Sequence, residues 1–182
     1  MAIKATVFKA ELQIADMTRH YYQTHQLTLA RHPSETDERM MVRLLAFALN
    51  ASEQLEFGKG ISTDDEADIW AKNYAGEIEL WIQVGLPDPK WLRKASNRSE
   101  KVILYVYGSS AADIWWQQNH NDFTRLDNLS VFKLAAAETQ ALTSMAQRTM
   151  QLQCTIEDGQ VWVADGENSV MVTVETLKKA TA

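Results

Sequence analysis

Carboxylates gather in two places along the chain. The run "STDDEAD" at 62–68 holds Asp65, Glu66 and Asp68, and the run "GEIELWIQVGLPD" at 76–88 carries Glu77, Glu79 and Gln83. Over 77–84 of the second run, the polar residues and Trp81 occupy the odd positions, and Ile78, Leu80, Ile82 and Val84 the even ones. That alternation predicts a strand with an aliphatic face and a face bearing Glu79 and Gln83. Carboxylates brought together from neighbouring strands are what Mg²⁺ or Mn²⁺ requires, because hard cations take oxygen ligands. Such an ion activates water and neutralises charge on a phosphodiester, and a nearby lysine stabilises the negative charge that develops. On residue types alone, however, an alternating strand is more often half-exposed, and an acidic loop is more often simply solvated.

Other chemistries find less support. There is no glycine-rich phosphate loop, no Gly-x-Ser-x-Gly elbow and no His-Glu-x-x-His. Cys154, the single cysteine, sits in an alternating run and predicts a small buried hydrophobe rather than a reactive thiol. The four histidines, His20, His25, His32 and His120, lack zinc-ligand spacing. A net charge of −6 argues against a protein that lives by non-specific attraction to phosphate backbones, although local charge counts for more than the total. No apolar run approaches the roughly 20 residues that span a bilayer, so no membrane partner and a cytoplasmic location are expected. At 182 residues, 46% hydrophobic and 23% charged, one domain over 1–182 is the expectation.

The elements that would position the acids are legible as patterns. Residues 2–15 and 20–30 predict two strands joined by a hairpin at "ADMTRH". Pro33 and Ser34 open a helix whose apolar positions Met41, Leu44, Leu45, Ala48 and Leu49 repeat at helical spacing. Arg39 and Arg43 lie one turn apart on it, with Glu35 and Glu38 as their expected partners. A short strand at 55–57, the acidic loop, a strand at "DIWAKN" and the strand at 76–84 follow. Asp88 and Pro89 then start a second helix, "KVILYVYG" is a strand buried on both faces, and "SSAADIWWQQNHND" is a third helix. After a strand at "LSVFKL" and a helix at "AAAETQALTSMAQRT", Asp158-Gly159 predicts a hairpin turn that sets Ile156 opposite Val161 and Cys154 opposite Val163. The class is α+β, with antiparallel strands from both ends flanking a helix-and-strand middle.

The segments "LTLARHPSETDERMMVRLLAFAL", "STDDEADIW", "IELWIQVGLPD", "IWWQQN" and "FTRLDNLSVFKL" resemble the YaeQ family of bacterial proteins, and the likeness runs over about residues 2–175. The resemblance implies a PD-(D/E)XK nuclease-like core, a mixed sheet flanked by helices, with the terminal segments adding antiparallel strands. It implies a first acid from Asp65, Glu66 or Asp68, or from Glu79, and an acid-x-lysine at Gln83-Val84-Gly85. There Gln83 replaces the acid and Gly85 the lysine, so Lys94 or Lys90 on the next helix would supply the cation. The implied metal ligands are Asp65, Glu79 and Gln83, with Lys94 completing the catalytic set and Mg²⁺ or Mn²⁺ as the ion. Two functions follow as expectations: a metal-dependent phosphodiesterase acting on nucleic acid, or an inactive nucleic-acid- or protein-binding regulatory module on the same fold.

Overall fold

The computed structural model of the chain describes residues 4–59 and 66–181. The first two strands, β1 (Thr6–Asp16) and β2 (Tyr21–Arg31), form the expected antiparallel hairpin. Then come α1 (Asp37–Asn50), β3 (Leu55–Phe57), β4 (Ile69–Lys72), β5 (Ile78–Val84), α2 (Pro89–Arg98) and β6 (Ser99–Tyr107). The remaining elements are α3 (Ser110–Phe123), β7 (Leu129–Leu134), α4 (Ala136–Ala141) with a 3₁₀ turn at Leu142–Met145, and β8 (Thr149–Glu157), β9 (Gln160–Ala164) and β10 (Ser169–Lys178). The terminal strands do not make a separate layer. All ten described strands join one sheet in the order β2-β1-β8-β9-β10-β7-β6-β5-β4-β3. The chain therefore combines helices and one large mixed sheet, in which β5, β6 and β7 run parallel and β1 runs parallel to β8.

Helix α1 is not a surface helix with one apolar stripe. Residues Met40 to Ala48 are all buried, including Arg43. A helix buried all round needs cover on every side, and the sheet supplies it by curling. Phe47 touches His25 of one sheet edge at 5.2 Å and Phe57 of the other at 5.4 Å, so the two edges approach each other across the helix. The principal core lies between α1 and the inner faces of β1, β8, β9, β5 and β6. A second core lies on the opposite face of β5–β7, where Trp81, Val102, Leu104 and Val131 pack under Leu92 and Ala95 of α2 and Phe123 of α3. β6 is thus apolar on both sides, as its sequence required.

Local signals account for most boundaries. Thr36, rather than Ser34, caps α1 by accepting from Arg39 N at 3.1 Å, and Asp88 caps α2 by accepting from Lys90 N. Asp158 and Gly159 adopt φ of 48° and 78°, the paired positive values a two-residue turn needs, and the predicted register of β8 and β9 follows. One expectation fails: the helix after β7 tightens into a 3₁₀ turn after six residues. At the start of α3, Ser109 makes no side-chain cap.

Candidate functional site

The face of β5 that carries Glu79 and Gln83 is largely covered rather than wet. Trp81 is 2% exposed, covered by α2 and locked edge-on against Trp70 with centroids 5.7 Å apart. The even positions also divide: Ile82 and Val84 enter the principal core, whereas Ile78 joins Trp81 in the second one, where the register with β4 slips between Ala71 and Lys72. Gln83 is half-buried, and its Oε1 accepts from Trp81 Nε1 at 3.2 Å. Glu79 is exposed near the start of β5. Glu77 serves the β4–β5 turn, accepting from Asn73 Nδ2 while Asn73 Oδ1 takes the backbone N–H of Glu77. Asp65 lies outside the described residues.

The acid that reaches the heart of the fold is Asp68. It is 5% exposed, and its Oδ2 accepts the backbone N–H of Val84 at 2.9 Å, which seats it beside Gln83-Val84-Gly85 at the carboxyl end of β5. Its Oδ1 accepts from Arg39 Nη2 at 2.8 Å. Arg39 in turn donates through Nη1 to Glu35 Oε2 at 2.7 Å. Arg43 closes on the same carboxylate with Nε at 2.9 Å and Nη2 at 2.7 Å, and also donates to the Ala30 carbonyl. Two carboxylates and two guanidiniums form one chain of charge-assisted bonds, with Glu35 and Arg43 each only 2% exposed as side chains. Tyr107 borders this network. Burial raises its hydroxyl to about 12, against the opposing pull of Arg39. Glu38 points elsewhere, accepting from Thr139 Oγ1 at 2.8 Å.

This arrangement does not fit a divalent cation. Each oxygen of Asp68 and Glu35 already accepts from an arginine or a backbone N–H, and Gln83 Oε1 is engaged by Trp81. Glu79 lies five residues from Val84, about 16 Å along an extended strand, so it does not converge with Asp68. Among the described residues no three metal-ligating side chains come together. The donor set is arranged to neutralise arginines, not to bind an ion.

The cation predicted on the second helix belongs to a larger set. α2 carries Lys90, Arg93, Lys94 and Arg98, all exposed, and no acid within its ten residues. Lys94 Nζ lies 5.3 Å from the Trp91 ring centroid, and Arg98 Cζ lies 5.3 Å from that of Trp81. Sequence reasoning marks only Lys90 and Lys94 on this helix. The signal for the whole set lies in "PKWLRKASNR", four cations at helical spacing around Leu92 and Ala95, which face the core. Trp115 and Trp116 are both half-buried and pack around Phe123 with centroids 5.5 and 6.1 Å away. His32 accepts the backbone N–H of Ser34 at 3.1 Å, a turn-forming role.

Comparison with known proteins settles the lineage. Residues 1–174 match the family described as YaeQ protein. The chain is 45% identical over 174 residues to a protein of Escherichia coli (strain K12) named "Uncharacterized protein YaeQ", covering 96% of each chain, and matches a Shigella flexneri protein of the same name equally well. Among solved structures, the YaeQ protein from Xanthomonas axonopodis pv. citri superposes with a TM-score of 0.93 at 49% identity, over 96% of this chain and 98% of that one. The YaeQ protein from Pseudomonas syringae gives a TM-score of 0.92 at 34% identity, over 98% of both chains. Sequence and fold agree over nearly the whole length, and the chain belongs to the YaeQ family.

Proposed function

We propose that the protein is a nucleic-acid-recognising module on a PD-(D/E)XK-like scaffold, with α2 as the element that meets the phosphate backbone. The observation that carries this reading is the charge of α2. In a chain of net charge −6, Lys90, Arg93, Lys94 and Arg98 are exposed on one helix that bears no acid. Clustered cations of this kind raise the local concentration of a polyanion whatever the sign of the whole molecule. The scaffold is supported by the order α1–β3–β4–β5–α2–β6 and by Asp68 seated beside Gln83-Val84-Gly85, where that superfamily keeps its acids. Recognition rather than cleavage is supported by the pairing of Asp68 and Glu35 with Arg39 and Arg43. Fluorescence anisotropy with labelled single-stranded DNA, duplex DNA and RNA tests the reading. At least one should bind, and Lys90→Glu with Arg93→Glu should weaken it more than about tenfold, since like charges now face the phosphates. Binding that ignores the reversal would refute the role of α2.

A second reading, a Mg²⁺- or Mn²⁺-dependent phosphodiesterase using Asp65, Glu79, Gln83 and Lys94, draws on one specific feature, the contact of Asp68 with the strand end. If Arg39 yields Asp68 to an ion, Mn²⁺ should raise the melting temperature and support cleavage, and Asp68→Asn should abolish both. With no Mn²⁺-dependent shift and no cleavage of these substrates, the recognition reading stands alone.

A further inference from the structure

The outer face of the β1–β2–β8 region, remote in the sheet order from the strands under α2, carries a groove of about 720 Å³. Its floor is laid out by register. Tyr22 stands beside Ala15 and Ala15 beside Thr155 within the groove, and the same row continues past its rim to Trp162 of β9, beside Thr155. The adjacent row runs Thr24, Gln13, Gln153. At about 4.8 Å per strand, Tyr22 and Trp162 stand about 14 Å apart over a floor of small and amide side chains. Both rings are in solvent, Tyr22 at 57% exposure and Trp162 at 38%.

Two properties of this face separate it from an ordinary wet sheet surface. First, neither row contains a charge. Solvated sheet faces are usually kept soluble by lysine and glutamate, and 23% of this chain is charged, yet the nearest ionic residues of β1, Glu11 and Lys9, lie in the following rows. Second, its polar groups are unspent. Among the described residues, the side chains of Gln13, Thr24, Gln153 and Thr155 have no hydrogen-bond partner, whereas one row away Gln26 already donates to Glu11 at 2.8 Å. Two amides and two hydroxyls therefore offer both donors and acceptors to a ligand, between two aromatic rings.

We infer that this groove binds a short neutral oligosaccharide. The pyranose ring presents an apolar C–H face that stacks on tyrosine or tryptophan, and a rim of hydroxyls that exchange hydrogen bonds with glutamine and threonine. It brings no charge, so the face needs none. A nucleic acid strand would also stack, but its phosphates would find no cation in either row, and a polyanion is drawn instead to α2. The inference stands apart from the proposed function, since neither the ligand nor the elements are shared.

Calorimetric titration of the intact protein with a panel of neutral linear gluco-, manno-, xylo- and N-acetylglucosamine oligosaccharides tests it, with single-stranded DNA as the polyanionic control. A panel member should bind with an affinity that does not change with salt. Tyr22→Ala and Trp162→Ala should each weaken it about tenfold, the scale of one lost stacking contact, with the melting temperature unchanged because both rings are exposed. Three results would overturn the inference: no panel member binding, binding that survives both substitutions, or salt-sensitive DNA binding that the two substitutions abolish.

Discussion

Arg43 is the residue on which the interior turns. It is buried to 2% exposure in the middle of α1, with both Nε and Nη2 committed to Glu35. A charge in that position is tolerated only because its partner is equally buried and Nη2 also donates to the Ala30 carbonyl. Glu35→Gln should therefore cost about 3–5 kcal/mol in urea unfolding, because it strands a buried cation. The double replacement Glu35→Leu/Arg43→Met should cost much less than the single one. Cys154 makes a second test: burial pushes its thiol up to about 12, so a thiol reagent should modify it only after unfolding. Burial also lowers the pKa of His25, which lies against Phe47 with Nε2 2.6 Å from the Tyr21 hydroxyl. The unfolded chain then holds the extra proton, so stability should fall as pH drops below about 6.5, and less steeply in His25→Gln. At this scale the sequence was informative about Cys154 and about the pairing of Arg39 and Arg43 with Glu35. It could not place Asp68 in that network. The contact joins residues 29 positions apart, and no periodicity encodes it.

The elements themselves were more legible, because each announces its own chemistry. Alternation marked β1, β5 and β8, the hairpin at "ADMTRH" led into β2, the Asp158-Gly159 turn fixed a register, and Asp88-Pro89 opened α2 where expected. What the patterns missed was burial set by neighbours. An alternating β5 is what a half-exposed strand looks like; Trp81 among the polar residues did signal that the second face is partly covered, but not that α2 supplies the cover. α1 looked amphipathic but is enclosed, since curvature of the sheet is a property of ten strands together and not of any one. Gly58 illustrates how an element end can control the site. Its N–H donates to the Asp68 carbonyl at 2.9 Å, and a Cβ there would overlap the Ala67 carbonyl oxygen. Gly58→Ala should displace the Ala67–Asp68 backbone and destabilise the fold by about 1–3 kcal/mol, measured by thermal unfolding.

Over the whole molecule, one sheet separates two cores and belongs to both. β5 and β6 contribute alternate residues to the α1 side and to the α2–α3 side, so neither core can be lost without exposing the other. Tryptophan fluorescence, which reports chiefly the second core, and far-ultraviolet circular dichroism should follow one coincident urea transition. The same layout holds the cationic helix on the outside of β5–β6 while the paired carboxylates stay inside near α1, and the proposal of recognition without cleavage rests on that division. The salt dependence of nucleic-acid binding tests it most directly. If four α2 cations contact phosphates, the logarithm of the association constant for duplex DNA should fall with the logarithm of salt at a slope near −3.6, about −0.9 per phosphate. Lys90→Glu with Arg93→Glu should reduce that slope by about half or more, with no Mn²⁺-dependent cleavage by either protein. A slope unchanged by the reversal, or cleavage that needs Mn²⁺, would contradict recognition through α2.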